Sequence, residues 1–465
     1  MSARPSSDGT PQPAVHPAAG PSAALPTATD GSFGGFVAAA RRAGRLVVQP
    51  RMGMGSPTAM RAGLRATRDA RALTVGTVTL DSYTRVGDLA AARGALADGA
   101  GLNGYPLVTH APAVTRGVLE GLEGPMFPVQ VRHGSACPQD IVRSLVGAGL
   151  HATEGGPVSY CLPYSRTPLR EAVGNWLQAC DLLLEARDRG TEPHVETFGG
   201  CMMGQLCPPG LLVALSVLEG LFFAQRGLRS VSLSYAQQTH PEQDEEALHA
   251  LDRLAAELLP DIDRHIVVYT YMGVFPRTPR GARRLLEDSA RLAVRTGAAR
   301  LIVKTTAEAH RIPTVEENVA ALEIAARAAD EERTQPRPPA TALGTGVHEE
   351  AAALVGAVLD LSPDLAVALP RAFERGYLDV PYCLHPDNSQ RTRSYIDPDG
   401  RLRWADIGVM PLRGLVEVAD SPRMTSSGLL GALAHVEGRY DRPRISPKAT
   451  APALLRHGTP PHEGR

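Results

Sequence analysis

Apolar positions recur along this chain in two alternating periods. Short runs rich in branched apolar residues predict strands at residues 46–49, 73–80, 129–132, around 158–160, 194–198, 230–235, 266–271 and 301–304. Residues 106–110 are a spare candidate. Between them lie segments of helical period, at residues 168–189, 209–226, 244–259, 280–296 and 315–328. Thr167 before Pro168 reads as a helix start, and Gly227 and Gly297 read as helix ends. Repeated strand-helix units imply a parallel sheet with right-handed crossovers. About eight units over roughly three hundred residues fit a (β/α)8 TIM barrel. A doubly wound open sheet is the alternative, but no Gly-x-Gly-x-x-Gly turn follows a strand to grip a dinucleotide.

Composition then divides the chain. Its 465 residues, 43% hydrophobic, suffice for a large core. The first 32 residues are rich in Pro, Ala, Ser and Gly without apolar period, and predict a disordered tail rather than a signal peptide. The expected organisation is a tail over residues 1–36, the barrel over 37–335, and a C-terminal extension over 336–465. A charged, proline-rich connector at residues 331–345 spans the boundary between barrel and extension. Helices follow at 348–361 and 364–375; residues 377–381 and 404–407 read as strand or loop. A net charge of -1 argues against a nucleic-acid partner. The longest apolar run, residues 210–224, is broken by Glu219 and too short to span a bilayer, so it predicts a buried helix and no membrane association. Six cysteines without a Cys-x-x-Cys pair predict reduced, packed thiols in a cytoplasmic protein.

In a barrel, chemistry gathers where strands end at the mouth. Three successive strand ends carry Arg51, Arg85 and Arg132, the last followed by His133. Guanidinium forks bind carboxylates bidentately, so three of them suit a dicarboxylate ligand. A surface or structural role is the default for any single one, since all but two of the 48 basic residues are arginine. Glu154, Tyr160 and Tyr164 share a Gly/Pro-punctuated stretch suited to a ligand-facing loop, or to ordinary packing. Lys304 is one of only two lysines, with Glu308 four residues on. A lysine in so arginine-rich a chain suggests a tunable ammonium; an i,i+4 ion pair is the plainer account. No zinc spacing and no Gly-x-Ser-x-Gly elbow occurs, so neither metal nor triad chemistry is expected.

The strings themselves go further. Gln49-Pro50-Arg51-x-Gly53, Asp81-x-Tyr83-Thr84-Arg85, Leu102-Asn103-Gly104, Arg132-His133-Gly134, Glu154-Gly155-Gly156 with Tyr160 and Pro163-Tyr164, Met272-Gly273-x-Phe275-Pro276, and Val303-Lys304-Thr305-x-x-Glu308 through Ile312-Pro313-Thr314 occur in this order. Together they resemble the epsilon subunit of glutamate mutase (methylaspartate mutase), from about Val48 to beyond Ile407. The resemblance implies an adenosylcobalamin-dependent isomerase that interconverts L-glutamate and (2S,3S)-3-methylaspartate by a radical mechanism. An adenosyl radical takes hydrogen from C4, and the substrate radical fragments to a glycyl radical and acrylate before recombining. It implies that Arg51, Arg85 and Arg132 hold the substrate carboxylates, beside His133. Glu154 would contact the amino group as the catalytic acidic residue, with Tyr160 and Tyr164 as further contacts. Gly53, Asn103, Pro163, Phe275, Lys304, Glu308 and Ile312 match positions facing the cobalamin or its adenosyl group.

Two stretches depart from the family. Val195-Glu196-Thr197-Phe198-Gly199 lacks its arginine and proline, and Ser234-Tyr235-Ala236-Gln237-Gln238 lacks its glycines. No Asp-x-His-x-x-Gly motif is present, since Asp263-Arg264-His265 is not followed by the glycine. Cobalamin is therefore expected on a small partner subunit, in a hetero-oligomer with a dimerised large subunit. The rival readings are a Schiff-base aldolase or lyase using Lys304, and a non-catalytic relative.

Overall fold

The computed structural model describes residues 31–202, 206–335, 346–419 and 424–442. Eight parallel strands form the centre: β1 (Val47–Gln49), β2 (Gly76–Thr79), β3 (Val129–Arg132), β4 (Ala152–Gly155), β5 (His194–Thr197), β6 (Ser230–Ala236), β7 (Asp263–Tyr269) and β8 (Arg300–Ile302). Each pairs with its neighbour in sequence, and β1 pairs with β8 in the register Val47↔Arg300. A parallel bridge between Val48 and Thr74, just ahead of β2, closes the ring. This is the expected (β/α)8 barrel.

Helices Pro57–Arg68, Gln139–Gly147, Leu169–Leu184, Pro209–Gln225, Pro241–Leu258, Pro279–Thr296 and Val315–Arg333 follow their strands and cover the outside. Local chemistry sets their ends. The Thr278 side chain accepts from the Gly281 amide, Pro279 sits at the first turn, and Gly297 ends that helix at φ +73°. Thr314 and Glu317 form a capping box at the start of the last.

Inside the barrel the strands present polar side chains to one another. Gln49 Nε2 donates to Thr77 Oγ1 (2.9 Å) and Gln130 Oε1 (2.8 Å). Arg300 pairs with Glu196, both fully buried, and donates to Gln49 and Ser232. Isolated buried charges are costly, so this pair persists because its remaining donors and acceptors are met by neighbours.

Some expectations are corrected. The fourth strand lies at Ala152–Gly155, not around residues 158–160. Gly155 turns the chain out of β4 at φ +135°, and residues 156–162 wind into a helical turn in which the Tyr160 amide donates to the Gly156 carbonyl. Val158 is buried like a strand residue, which is why its apolar run misleads. Residues 106–110 form a turn, joined to β2 only through the Leu80↔Tyr105 bridge. Pro168, not Thr167, caps helix Leu169–Leu184, whose first amide instead donates to Asp387 Oδ2 at 2.7 Å.

The tail expected over residues 1–36 lies mostly outside the described residues, but its last six residues do not. The last four of these begin helix Phe33–Arg42, capped by Ser32. Phe33 and Phe36 are fully buried, packed with Val37, Val47, Val75 and Ala299. The Arg300 guanidinium lies 5.0 Å from the Phe33 ring, and His194 stacks on that ring. Ten residues at the edge of a low-complexity stretch are too few for a period to stand out, and only the barrel shows what they cover.

Beyond the barrel, helices Val347–Leu359 and Leu365–Arg375 pack on Pro209–Gln225, which explains how that largely apolar helix is covered. A hairpin, β9 (Arg393–Ile396) and β10 (Leu402–Asp406), resolves residues 404–407 mainly as strand, while residues 377–381 are loop. The connector falls largely outside the described residues. Five cysteines are buried and free; Cys137 is free but exposed. Among the described residues no helix is long and apolar enough to cross a membrane, and no cluster of three or more His, Cys, Asp or Glu could hold a metal ion.

Candidate active site

The strand ends converge on one cavity of about 260 Å³, lined by Arg51, Arg85, Asn103, Arg132, His133, Glu154, Tyr160, Tyr164, Phe198 and Met272 among others. The seven residues expected to contact substrate are all in its wall. Arg51 follows β1. Arg85 sits in the short helix Ser82–Val86, which Asp81 caps by accepting from the Thr84 amide at 3.0 Å. Arg132 ends β3, His133 follows it, and Glu154 lies in β4.

Arg132 and Glu154 form the innermost part. Arg132 Nε donates to Glu154 Oε2 at 2.6 Å, with side-chain exposures of 5% and 3%. Arg132 Nη2 donates to the Tyr269 hydroxyl at 3.2 Å, while Nη1 is buried without a partner. A buried guanidinium nitrogen without a partner is costly unless a further acceptor meets it. Burial opposes the charge, yet Glu154 beside it holds the guanidinium well above its ordinary value. Glu154 also accepts from Tyr160 through Oε1 and lies 2.9 Å from the Tyr269 hydroxyl through Oε2. A carboxylate has about four acceptor sites, so room for one further donor remains, on the Oε1 side.

His133 is pushed down to about 3, first by burial and also by the Arg132 charge, and is therefore neutral. Its Nδ1 accepts from the Ser135 amide at 3.0 Å, which leaves the ring proton on Nε2. The ring packs edge-on to Tyr160 (5.1 Å) and stacks on Trp176 (5.9 Å). Burial drives the Tyr160 phenol well above its usual range, so it is a donor throughout.

The residues expected to face a coenzyme divide. Lys304 is buried, with its Nζ 3.2 Å from Glu308 Oε1 and 5.0 Å from the centre of the Phe275 ring. Arg51 Nη1 reaches the same Glu308 oxygen at 3.2 Å, tying this group to the cavity that Arg51 lines. Burial lowers the Lys304 ammonium to about 8, assisted by Arg51 and opposed by Glu308. Asn103 lines the cavity and accepts from the Ser82 amide. Gly53 sits so close to the Thr79 carbonyl that a Cβ would lie 2.0 Å from its oxygen, which makes glycine obligatory there. Pro163 lies next to Tyr164 in a neighbouring hollow, and Ile312 is 61% exposed.

Several residues of the site escape a sequence reading. Tyr269, Glu196 and Arg300 lie beneath Arg132 and Glu154: Tyr269 also meets Glu196, which pairs with Arg300. Polar residues inside short apolar runs were the available signal. His265 of the Asp-x-His string is buried in the barrel, stacked on His194 at 5.2 Å.

The chain is similar to known proteins over most of its length. The model of the methylaspartate mutase E chain (MutE) family matches residues 26–432. A glutamate mutase epsilon subunit of Desulfitobacterium hafniense is 31% identical over 365 residues, covering 75% of this chain and 75% of that one. Its counterpart in Halobacterium salinarum is 31% identical over 376 residues, 78% and 76% of the two chains. That of Haloarcula marismortui is 31% identical over 411 residues, 84% and 81%.

Proposed function

Because the chain belongs to the methylaspartate mutase E chain family, it is one component of an isomerase, and we propose that its barrel mouth is the glutamate site. The reaction is the interconversion of L-glutamate and (2S,3S)-3-methylaspartate. The observation that supports it most is the orphaned Arg132 Nη1, buried in a cavity that also holds Arg51 and Arg85. Three guanidiniums around so small a space call for a ligand with two carboxylates. Glu154 has one acceptor site left, which suits the substrate ammonium; the Tyr160 hydroxyl, donating to Glu154, holds that carboxylate in place, and neutral His133 adds a hydrogen-bond donor.

The residues at the mouth fit an adenosyl group. An ammonium and a carboxylate, Lys304 and Glu308, stand beside the Phe275 ring, and Asn103 offers an amide; these can hydrogen-bond ribose hydroxyls and pack against a base. Adenosylcobalamin, when bound, supplies the radical chemistry that no side chain provides. The protein's part is orientation and exclusion of water. Charged forks on each carboxylate hold both halves of the substrate in register while its carbon skeleton rearranges. The buried floor keeps solvent from a reactive carbon centre.

The cobalamin itself comes on a separate small subunit, in a cytoplasmic hetero-oligomer built on a dimer of this chain. His265, which would be the lower ligand of an Asp-x-His-x-x-Gly motif, is instead buried inside the barrel and stacked on His194. The test is glutamate consumption with adenosylcobalamin and the cognate small subunit, each omitted in turn. Turnover should require all three components. Robust turnover by this chain and coenzyme alone would refute the two-subunit reading, and no turnover by the complete mixture would refute the substrate.

A further inference from the structure

Helix Pro209–Gln225 carries one charged residue, Glu219, and that side chain is fully buried. A lone carboxylate in an apolar helix is unfavourable unless specific donors meet it. Five do. Oε1 accepts from the amides of Val158 (3.2 Å) and Ser159 (2.8 Å). Oε2 accepts from the Ser159 hydroxyl (2.9 Å) and the amides of Gly199 (2.9 Å) and Phe198 (3.3 Å). The chain also makes room for it: a Cβ on Gly156 would lie 2.0 Å from Glu219 Oε1.

The donors belong to two separate loops. One follows β4 and carries Tyr160 and Tyr164; the other follows β5 and carries Phe198. All three side chains line the cavity. The Ser159 amide precedes the tyrosine whose hydroxyl reaches Glu154, and the Phe198 amide is itself a donor to Glu219. Above the carboxylate the Tyr160 and Phe198 rings meet at 5.1 Å. We propose that Glu219 is the positioning residue of the glutamate site, a carboxylate clamp that joins the β4 and β5 loops and so sets Tyr160, Tyr164 and Phe198 against the substrate. This rests on the cavity being the glutamate site.

The clamp has a chemical signature that packing alone lacks. Both oxygens face donors only, two on one side and three on the other. Glutamine has the same shape, but its amide nitrogen would turn N–H groups toward N–H groups whichever way it flipped. Aspartate is one methylene short, yet keeps two acceptors. A clamp therefore ranks Glu219→Asp above Glu219→Gln, whereas a role in filling volume ranks them the other way.

The experiment uses the full chain reconstituted with the small subunit and adenosylcobalamin, with L-glutamate as substrate. Glu219→Gln should lower kcat/KM at least about tenfold, and Glu219→Asp should retain more of it. Ser159→Ala, which deletes one hydroxyl donor, should raise KM for glutamate roughly threefold with little change in kcat or melting temperature. That variant decides the matter if Glu219→Gln does not fold. Wild-type kinetics in Glu219→Gln, the reverse ranking, or an unchanged KM in Ser159→Ala would overturn the clamp. A wild-type complex that turns over no glutamate would instead refute the site reading on which the clamp depends.

Discussion

Arg132 is bound on one side only: Nε and Nη2 hold Glu154 and Tyr269, and Nη1 is buried without a partner, the position proposed above for a substrate carboxylate. Arg132→Lys keeps the charge but cannot serve both directions, because an ammonium has no planar fork. A charge-assisted hydrogen bond is worth roughly 1.5–3 kcal/mol, so kcat/KM for glutamate should fall about tenfold to a hundredfold. Small-subunit binding, followed by sedimentation, should persist; wild-type kinetics would leave the three-arginine clamp without this member. Lys304 carries a second prediction. Its value falls from the ordinary 10.5 to about 8, chiefly through burial, so the fold disfavours its charged form. The stability linked to it is present above 10.5 and lost as pH falls through about 8. The role proposed for Lys304 needs the ammonium, which predominates only below about 8. Turnover should drop as pH rises through that value, and Lys304→Arg, charged throughout, should abolish that limb. A limb retained in the arginine variant would assign the titration to another group.

At the scale of elements, two devices stand out. Carboxylates from the C-terminal extension reach back to the barrel's helices. Asp387 accepts from the first amide of Leu169–Leu184, and Asp441 accepts from Arg277 (2.8 Å) and Thr278 (3.1 Å) at the start of Pro279–Thr296. Asp387 does what a local cap would do, from 218 residues away, and Asp441 fastens the cap residue Thr278 itself. Helix Phe33–Arg42 is the other device, packed beneath Arg300 and His194. Phe36 is fully buried there, and removing a buried phenylalanine costs about 3–5 kcal/mol. Phe36→Ala should therefore lower the denaturation midpoint clearly, while the cavity residues at the other end of the strands stay in place. A variant as stable as the wild type would show that this helix does not stabilise the barrel.

For the molecule as a whole, barrel and extension share a core. Pro209–Gln225 is apolar on every side, so it needs Val347–Leu359 and Leu365–Arg375 on its outer face. A chain ended after Gln335 should bind hydrophobic dyes and lose a cooperative melt, and a sharp native-like melt would make the barrel independent. The strand-helix alternation, the arginines at successive strand ends and the rare Lys304 were legible in the sequence, because period and position along a strand are local properties. The same holds for the conjunction of Arg51, Arg85, Arg132, Glu154 and Tyr160, which follows once a barrel directs its strand ends to one mouth. What the tertiary structure alone decided is who partners whom. Glu154 accepts from Arg132 as well as Tyr160, Glu219 gathers amides some sixty and twenty residues before it, and Arg300 meets Glu196 in the barrel's interior. Buried polar groups must find partners wherever the fold brings them, and closing the barrel joins strands whose separation in sequence carries no trace of that contact.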